Sequence, residues 1–195
     1  GNYIGTNTTG SSTIGVSEVG IYVFTGTLNQ ILSNVISGNT MAGIVVGTGG
    51  RGVQQTISNL VIENNIIGLD AQGINSVPNG FGISIVKNCD NTTINSNTIS
   101  GNNYAGIQIG TFFINSFSDN PAVQGPTFIS NNLLGTQSNG KIKSGNGTFG
   151  IVINEATTGT LVGGVMTTNG NTIVDNGIDG ISISSYASEN TVQGN

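Results

Sequence analysis

The segment Asn91-Thr-Thr-Ile94-Asn-Ser-Asn97-Thr-Ile99-Ser-Gly101-Asn102-Asn-Tyr-Ala-Gly106-Ile107-Gln-Ile109 decides the fold of this chain. Apolar residues recur in it every two or three positions, and Asn or Gly stands between the apolar groups. This spacing predicts three short strands separated by two tight corners. We interpret the segment as one turn of a solenoid.

A short strand motif, Gly-Ile-x-(Ile/Val), recurs along the whole chain. Its copies are Gly20-Ile-Tyr-Val23, Gly43-Ile-Val-Val46, Gly82-Ile-Ser-Ile85, Gly106-Ile-Gln-Ile109, Gly150-Ile-Val-Ile153 and Gly180-Ile-Ser-Ile183. In an extended strand, the first and third apolar residues of each copy point one way and the residue between them points the other way. Such copies far apart in sequence indicate stacked coils and not hairpins.

A second repeated pattern places Ile or Val three residues before Asn. The pairs are Ile31 with Asn34, Ile62 with Asn65, Ile94 with Asn97, Ile129 with Asn132 and Val192 with Asn195. The coil around Asn171 keeps only the second half of the pattern. Asn and Gly accept the left-handed backbone of a sharp corner, and stacked Asn amides bond along a solenoid axis. We therefore expect one ladder of corner asparagines, formed by Asn34, Asn65, Asn97, Asn132 and Asn171.

Two kinds of coil alternate in the sequence. A looped kind extends beyond Gly5, Gly68 and Gly135, and a short kind turns quickly at Gly38-Asn39, at Gly101-Asn102 and, in a degenerate form, at Asp175-Asn176. Each coil has one apolar stripe per strand and buries it only against its neighbours, so the pattern predicts an all-β parallel β-helix of about six coils. We expect residues 1–195 to form a single domain, interrupted by excursions at 47–58, 110–126 and 154–168.

The composition excludes several functions. Charged residues make up 7% of the chain and the net charge is −5, which argues against nucleic-acid binding. No apolar run approaches the roughly 18 residues of a membrane-spanning helix. Cys89 is the single cysteine and the chain has no His, so we expect a buried thiol and not an activated nucleophile.

The chain resembles the right-handed parallel β-helix repeats of the pectate-lyase-like superfamily. The resemblance covers essentially the whole chain and rests on Asn-x-Ile-x-Gly-Asn followed by Gly-Ile-x-Ile. The looped coil Ile67-Gly68-Leu-Asp70-Ala-Gln-Gly73 is similar to the Ile-Gly-Thr-Asp-x-x-Gly repeat of large secreted bacterial surface proteins. The resemblance implies a right-handed helix. It carries over no catalytic residue, because the superfamily holds enzymes, adhesins and structural spikes, and the only arginine here is Arg51 in a Gly-rich loop.

Few residues are candidates for a site. Asp175 and Asp179 share a corner and are weak candidates for binding Ca²⁺, although Asp in a turn more often caps its own backbone. Phe112, Phe113 and Phe117 form either a contact loop for sugars or a cover for the helix. Asn7, Asn91 and Asn146 match the glycosylation sequon. We expect no cofactor.

Two functions remain open on this sequence. The first is a non-catalytic structural module of a secreted or cell-surface protein: a stalk, an adhesin or a filament subunit. The lack of capping at either end then predicts a slice of a longer array, continued by covalent flanking repeats, or a subunit that stacks end to end with its own copies. The second is a carbohydrate-binding or polysaccharide-active protein, with glycans as its partners.

Overall fold

The computed structural model describes residues 1–14, 17–47, 56–86, 89–110, 125–141, 143–154 and 157–195. In these ranges the chain forms 21 short strands and one 3-10 helix, at Thr167–Asn169. Every pairing between the strands is parallel. The strands belong to three sheets of six strands and one sheet of three strands.

Each sheet collects equivalent strands from successive coils. Sheet 1 contains β1 (Tyr3–Ile4), β5 (Val35–Ile36), β9 (Ile66–Ile67), β13 (Thr98–Ile99), β16 (Leu133–Leu134) and β19 (Thr172–Ile173). Sheet 2 contains β2 (Val19–Val23), β6 (Ala42–Val46), β10 (Phe81–Ile85), β14 (Ile107–Ile109), β17 (Ile151–Ile153) and β20 (Ile181–Ile183). Sheet 3 contains β4 (Gln30–Leu32), β8 (Val61–Glu63), β12 (Thr92–Asn95), β15 (Thr127–Ser130), β18 (Leu161–Gly163) and β21 (Thr191–Gln193). Sheet 4 contains β3 (Gly26–Thr27), β7 (Ile57–Ser58) and β11 (Cys89–Asp90).

The order of the strands along the chain makes a solenoid. The chain passes through sheet 1, sheet 2 and sheet 3 in turn and then returns to sheet 1, one strand further along. Sheet 4 adds a short strand between sheets 2 and 3 in the first three coils. The prediction of a parallel β-helix with six coils is therefore confirmed.

Stacked Ile side chains fill the interior. Ile31, Ile62, Ile94 and Ile129 follow one another in sheet 3, each paired in register with the next. In sheet 2, Ile83 and Ile85 are fully buried in the core cluster, whereas Ser84 between them is not part of it. The alternation expected for Gly-Ile-x-Ile is therefore present, and each inner coil buries its apolar stripe against the coils on either side.

The corner asparagines form one continuous ladder. In each step the backbone N and the side-chain Nδ2 of one Asn donate to Oδ1 of the next, through Asn2, Asn34, Asn65, Asn97, Asn132, Asn171 and Asn195. The left-handed backbone lies one residue earlier, at Ser33, Asn64, Ser96 and Asn131. The expectation that the ladder Asn itself would adopt this conformation was therefore wrong: these asparagines supply the hydrogen bonds and the preceding residue makes the turn.

A second asparagine ladder runs between sheets 1 and 2. It links Asn39, Asn79, Asn102, Asn146 and Asn176 by the same pair of hydrogen bonds. The glycines of Gly-Ile-x-Ile lie against it, since a Cβ atom added to Gly82 or Gly106 would lie 2.8–3.0 Å from a ladder Nδ2. These positions need glycine because the ladder and the next backbone approach so closely.

The two kinds of coil alternate as expected. Antiparallel bridges between Thr6 and Thr13, between Leu69 and Ser76, and between Thr136 and Lys143 close the loops of the first, third and fifth coils. The prediction that 154–168 is wholly an excursion was wrong, because Leu161–Gly163 is a strand of sheet 3. Val162 pairs with Ile129 and is therefore the apolar residue that the sequence pattern lacked three positions before Asn171. The residues between Val162 and Asn171 include the 3-10 helix, so the two are further apart in sequence than in the other coils.

Candidate functional site

The outer face of sheet 2 is the candidate functional site, because a cavity with an aromatic lining lies on it. The segments in which the sequence predicts excursions start directly after β6, β14 and β17 of this sheet, although Ile57–Ser58 and Leu161–Gly163 within them are strands. Solenoids concentrate function on insertions that lie on one face. The candidate contact residues Phe112, Phe113 and Phe117, and Arg51, belong to these segments and lie outside the described residues.

The outward side chains of sheet 2 form a row without charge: Tyr22, Val45, Ser84, Gln108, Val152 and Ser182. In the middle of the row, the four residues from Val45 to Val152 are only 2–6% exposed. Only Tyr22, at the N-terminal end of the row, is strongly exposed. The side chains in the middle of this face are therefore buried, although they lie outside the core of the helix.

A cavity of about 340 Å³ lies beside this row. Its lining consists of Phe81, Tyr104, Ala105, Gln108, Thr148, Phe149 and Val152. The rings of Phe81 and Tyr104 are in contact, with centroids 5.1 Å apart and planes tilted by 33°. Tyr104 is 52% exposed and forms the most open part of the lining. Three aromatic rings thus border one cavity beside the outward row of sheet 2.

The stacking register brings three residues of this lining together. The pairings of Ile83 with Ile107 and of Ile107 with Ile151 place Phe81, Ala105 and Phe149 in one column. Ala105, in the middle of the column, is fully buried. Sequence reasoning missed these residues, although a signal was present: each directly precedes the Gly of a Gly-Ile-x-Ile strand.

Gln108 is a polar residue of the cavity lining. Its Nε2 donates to the carbonyl oxygen of Gly110 at 3.0 Å and to Oγ of Ser84 at 3.4 Å. The first of these contacts fixes the orientation of the amide, because Oε1 in that place would face another acceptor. Oε1 itself is buried and has no hydrogen-bond partner. Such an atom is costly unless it accepts a hydrogen bond.

The weak metal candidates do not form a cluster. Asp175 accepts a salt bridge from Lys143, whose Nζ lies 2.9 Å from its Oδ1, and Asp179 is exposed. Among the described residues, no group of three or more His, Cys, Asp or Glu side chains could hold a metal ion. Asp175 directly precedes Asn176 of the second ladder, as Gly38 and Gly101 precede Asn39 and Asn102 in the other short coils. All three residues have a positive φ, which is 58° for Asp175. The turn therefore explains why Asp175 stands there, without a metal ion.

Asp70 is a buried carboxylate inside its own loop. Its Oδ1 accepts a hydrogen bond from the backbone N of Ile74 at 2.8 Å, and its Oδ2 accepts one from Nδ2 of Asn75 at 2.6 Å. Burial raises the pKa of this carboxyl, but the hydrogen bonds from Ile74 and Asn75 outweigh it, so the pKa lies below the ordinary value of 3.8. The charge holds the loop of the third coil closed.

This lowered pKa predicts a pH-dependent contribution to stability. The contribution is present above the pKa of the unfolded chain and is lost as the pH falls through the lower pKa of the folded chain. We expect Asp70→Asn to lower the free energy of unfolding at pH 6 and to have a smaller effect near pH 2.5. Urea unfolding of both proteins at the two pH values measures this. An equal difference at both values would contradict the role of the charge.

Cys89 lies in the core and is 1% exposed, and burial raises the pKa of its thiol to about 12. A thiol reacts as the thiolate, so this residue should be inert in the folded protein. We expect no reaction with Ellman's reagent at pH 8 until urea unfolds the chain, and then one equivalent. Modification of the folded protein at the rate of a small free thiol would show that the core opens around sheet 4.

The sequon asparagines differ in accessibility. Asn146 is 1% exposed, and its Nδ2 donates to Asn176 and to the carbonyl of Ile99 in the second ladder. A glycan on this nitrogen would replace one of its two hydrogens, so at least one of these buried hydrogen bonds would be lost, and the geometry argues against modification there. Asn7 is partly buried and Asn91 is exposed, which leaves these two as the accessible sequons.

Comparison with known protein families identifies the family of this chain. The model of the family described as right handed beta helix region matches residues 2–195, and the chain belongs to that family. The helix is therefore right-handed, as the resemblance implied. No curated protein and no solved structure matches the chain significantly. Within the described ranges, no helix has the length and apolar character needed to cross a membrane.

Proposed function

We propose that this chain is a non-catalytic structural module of a secreted or cell-surface protein, acting as part of a stalk, an adhesin or a filament. The observation that carries the proposal is the pair of asparagine ladders, which link successive coils along the helix. Each step adds side-chain hydrogen bonds to the strand pairing, and hydrogen-bonded networks of buried amides make a structure rigid. Oδ1 of Asn39, at the N-terminal end of the second ladder, is buried without a hydrogen-bond partner. A rigid β-helix of this kind is suited to act as a long spacer that resists mechanical load.

The placement of the charged groups supports a structural role. Glycoside hydrolysis usually needs two carboxyl groups that flank the scissile bond of the substrate. Here Asp70 is enclosed in its own loop, Asp175 is paired with Lys143, and Glu63 accepts a hydrogen bond from Asn95 in the next coil. Each of these carboxylates has a partner that explains it without a substrate.

The terminal coils support growth by further stacking. Ile183 in β20 is 46% exposed, whereas Ile153, its partner one coil earlier, is fully buried. The same contrast holds in sheet 3 between Val192 and Val162. We propose that another β-helical coil covers these positions, supplied either by covalently linked repeats or by a second copy of this chain.

A turnover assay tests the non-catalytic part of the proposal. The purified chain is incubated with neutral and acidic polysaccharides, and new reducing ends and unsaturated products are measured against a buffer blank. We expect no product above the blank from folded protein. Turnover that disappears in a carboxylate variant such as Glu63→Gln, with unchanged folding, would contradict the proposal.

Carbohydrate binding is the second candidate, and the aromatic cavity favours it. Exposed aromatic rings offer an apolar face on which the C–H groups of a sugar ring pack. Tyr104 is the exposed ring of the set, so Tyr104→Ala should abolish any glycan binding through this cavity. A glycan array with the wild-type chain and this variant decides whether the second candidate holds.

A further inference from the structure

We propose that the C-terminal face of this β-helix, formed by its sixth coil, binds the N-terminal face of a second copy of the chain. The two copies stack head to tail, so that the first coil of one copy continues the solenoid after the sixth coil of the other. Such stacking deepens the proposed structural role and rests on it, since it names the partner, the polarity of the contact and the residues that meet.

Both faces present inward side chains of sheet 2. On the C-terminal face, Ile183 is 46% exposed, although its partner in the fifth coil, Ile153, is fully buried. On the N-terminal face, Val23 stands in the same column of paired residues and is only partly buried. A first coil placed on the sixth coil would bring Val23 over Ile183. Both apolar side chains would then leave water, which favours association.

The loops indicate which kind of coil follows the sixth. The backbone N of Ala71 donates to the carbonyl oxygen of Gly10, and that of Ser138 donates to Gly73, so the loops of alternate coils are bonded to one another. Gly140 has the equivalent place in the fifth coil, and a Cβ atom on it would meet no described atom within 4 Å. The sixth coil is short, so the alternation requires a looped coil next. The first coil of a second copy is looped and would bring its own loop over Gly140.

The first asparagine ladder sets the register of the contact. Asn195 follows Asn171 in this ladder and stands at the start of the next coil, as Asn2 stands at the start of the first coil. Asn195 of one copy and Asn2 of the next therefore compete for one place in the stack. Asn195 can fill it, because it keeps its hydrogen bonds from Asn171 and offers Asn34 the same two donors that Asn2 offers within one chain.

The ladder also sets the polarity of the contact. In each step the backbone N and Nδ2 of one asparagine donate toward the later coil. The C-terminal face thus offers the donors of Asn195, and the N-terminal face offers an acceptor, Oδ1 of Asn34. Two C-terminal faces placed together would set donors against donors. The contact is therefore heterologous, and it leaves a free face at each end for further copies.

Two single variants test the contact, with the mass of the 195-residue chain measured by sedimentation equilibrium. Ile183→Lys places a charge on the C-terminal face, and Val23→Lys places one on the N-terminal face. We expect the mass of the wild-type chain to rise with concentration. Each variant should weaken self-association at least about tenfold, because stacking would bury an unpaired charge.

A mixture of the two variants tests the polarity. Ile183→Lys keeps an intact N-terminal face, and Val23→Lys keeps an intact C-terminal face. These two intact faces form the wild-type contact, whereas the other faces remain blocked. The equimolar mixture should therefore form dimers and nothing longer, although each variant alone stays a single chain.

Ile74→Lys is the matched control, because it is the same substitution at a residue that is 47% exposed in the loop of the third coil, away from both faces. It should leave self-association unchanged. Circular dichroism establishes that each variant is folded. If Ile183→Lys does not fold, Val192→Lys replaces it on the C-terminal face, and Ile4→Lys likewise replaces Val23→Lys on the N-terminal face.

Removal of residues 1 and 2 tests the register. The shortened chain no longer has an Asn2 that competes with Asn195 for the place beside Asn34. We expect its dissociation constant for self-association to be lower than that of the wild-type chain. A higher dissociation constant would overturn this register.

Three results would overturn head-to-tail stacking. They are a wild-type mass of one chain at every concentration, unchanged association in both face variants, and dimers of Val23→Lys alone beside single chains of Ile183→Lys, which would mean that two C-terminal faces pair symmetrically. A wild-type chain that stays single would leave the structural role to covalently linked repeats. Polysaccharide turnover, in contrast, would contradict the structural role whatever the mass, so the two failures are distinct.

Discussion

Gly82→Ala should destabilise the β-helix by about 3 kcal/mol or more, the upper range for overpacking a close-packed interior. A Cβ atom at this position would lie 2.5 Å from the carbonyl oxygen of Gly106 and 2.6 Å from Cγ2 of Ile99. The first contact is backbone of the next coil and the second is a fully buried, branched side chain, so neither can move away cheaply. Urea unfolding followed by circular dichroism measures the loss.

Gly180→Ala is the matched control for this prediction. Gly180 occupies the same place in the last Gly-Ile-x-Ile strand, but a Cβ atom there would meet only Cγ2 of Ile173, at 3.4 Å. We expect Gly180→Ala to change the free energy of unfolding by less than about 1 kcal/mol. Equal losses at the two positions would mean that close approach between coils is not the reason for the glycines.

Asn102→Ala should cost about 3 kcal/mol, because it leaves buried donors of Asn79 without an acceptor. Oδ1 of Asn102 accepts from the backbone N and from Nδ2 of Asn79, and its own Nδ2 donates to Oδ1 of Asn146. All three residues are at most 2% exposed, so water cannot replace the lost partners without opening the stack. Chemical denaturation again gives the free energy of unfolding.

Asn103→Ala controls for the loss of an asparagine at this corner. Asn103 directly follows Asn102 in the chain, and its side chain is exposed. The variant should therefore stay within about 0.5 kcal/mol of the wild type, as surface substitutions generally do. If Asn102→Ala were as mild as Asn103→Ala, the second ladder would not hold the coils together.

The repeated features of the fold were predictable from sequence because stacking makes equivalent positions alike. The Gly-Ile-x-Ile motif predicted the strands of sheet 2, and the spacing of Ile and Asn predicted the strands of sheet 3 and the first ladder. The second ladder was not predicted. Asn39, Asn102 and Asn176 were recognised only as corners of the short coils, and Asn79 and Asn146 follow loops that separate them from the rest of their coils. The strands of sheet 4 are two residues long, too short to show a periodic pattern.

The candidate site was harder to predict because it depends on which residues become neighbours across coils. Phe81 and Phe149 are far apart in sequence, and only the register of sheet 2 places Ala105 between them. The sequence drew attention to Phe112, Phe113 and Phe117 because they are close together in the chain, which is a weaker guide in a solenoid. Likewise, the strand at Leu161–Gly163 was hidden by the detour that separates it from Asn171.

Electron microscopy of the native protein, purified from its source and negatively stained, tests the central claim most directly. A structural module built by coil stacking predicts uniform rods or fibres of constant width. If copies of this chain stack on one another, the repeat along the rod is about 30 Å, since six coils contribute about 4.8 Å each. Compact, isolated particles at every protein concentration would contradict the structural role.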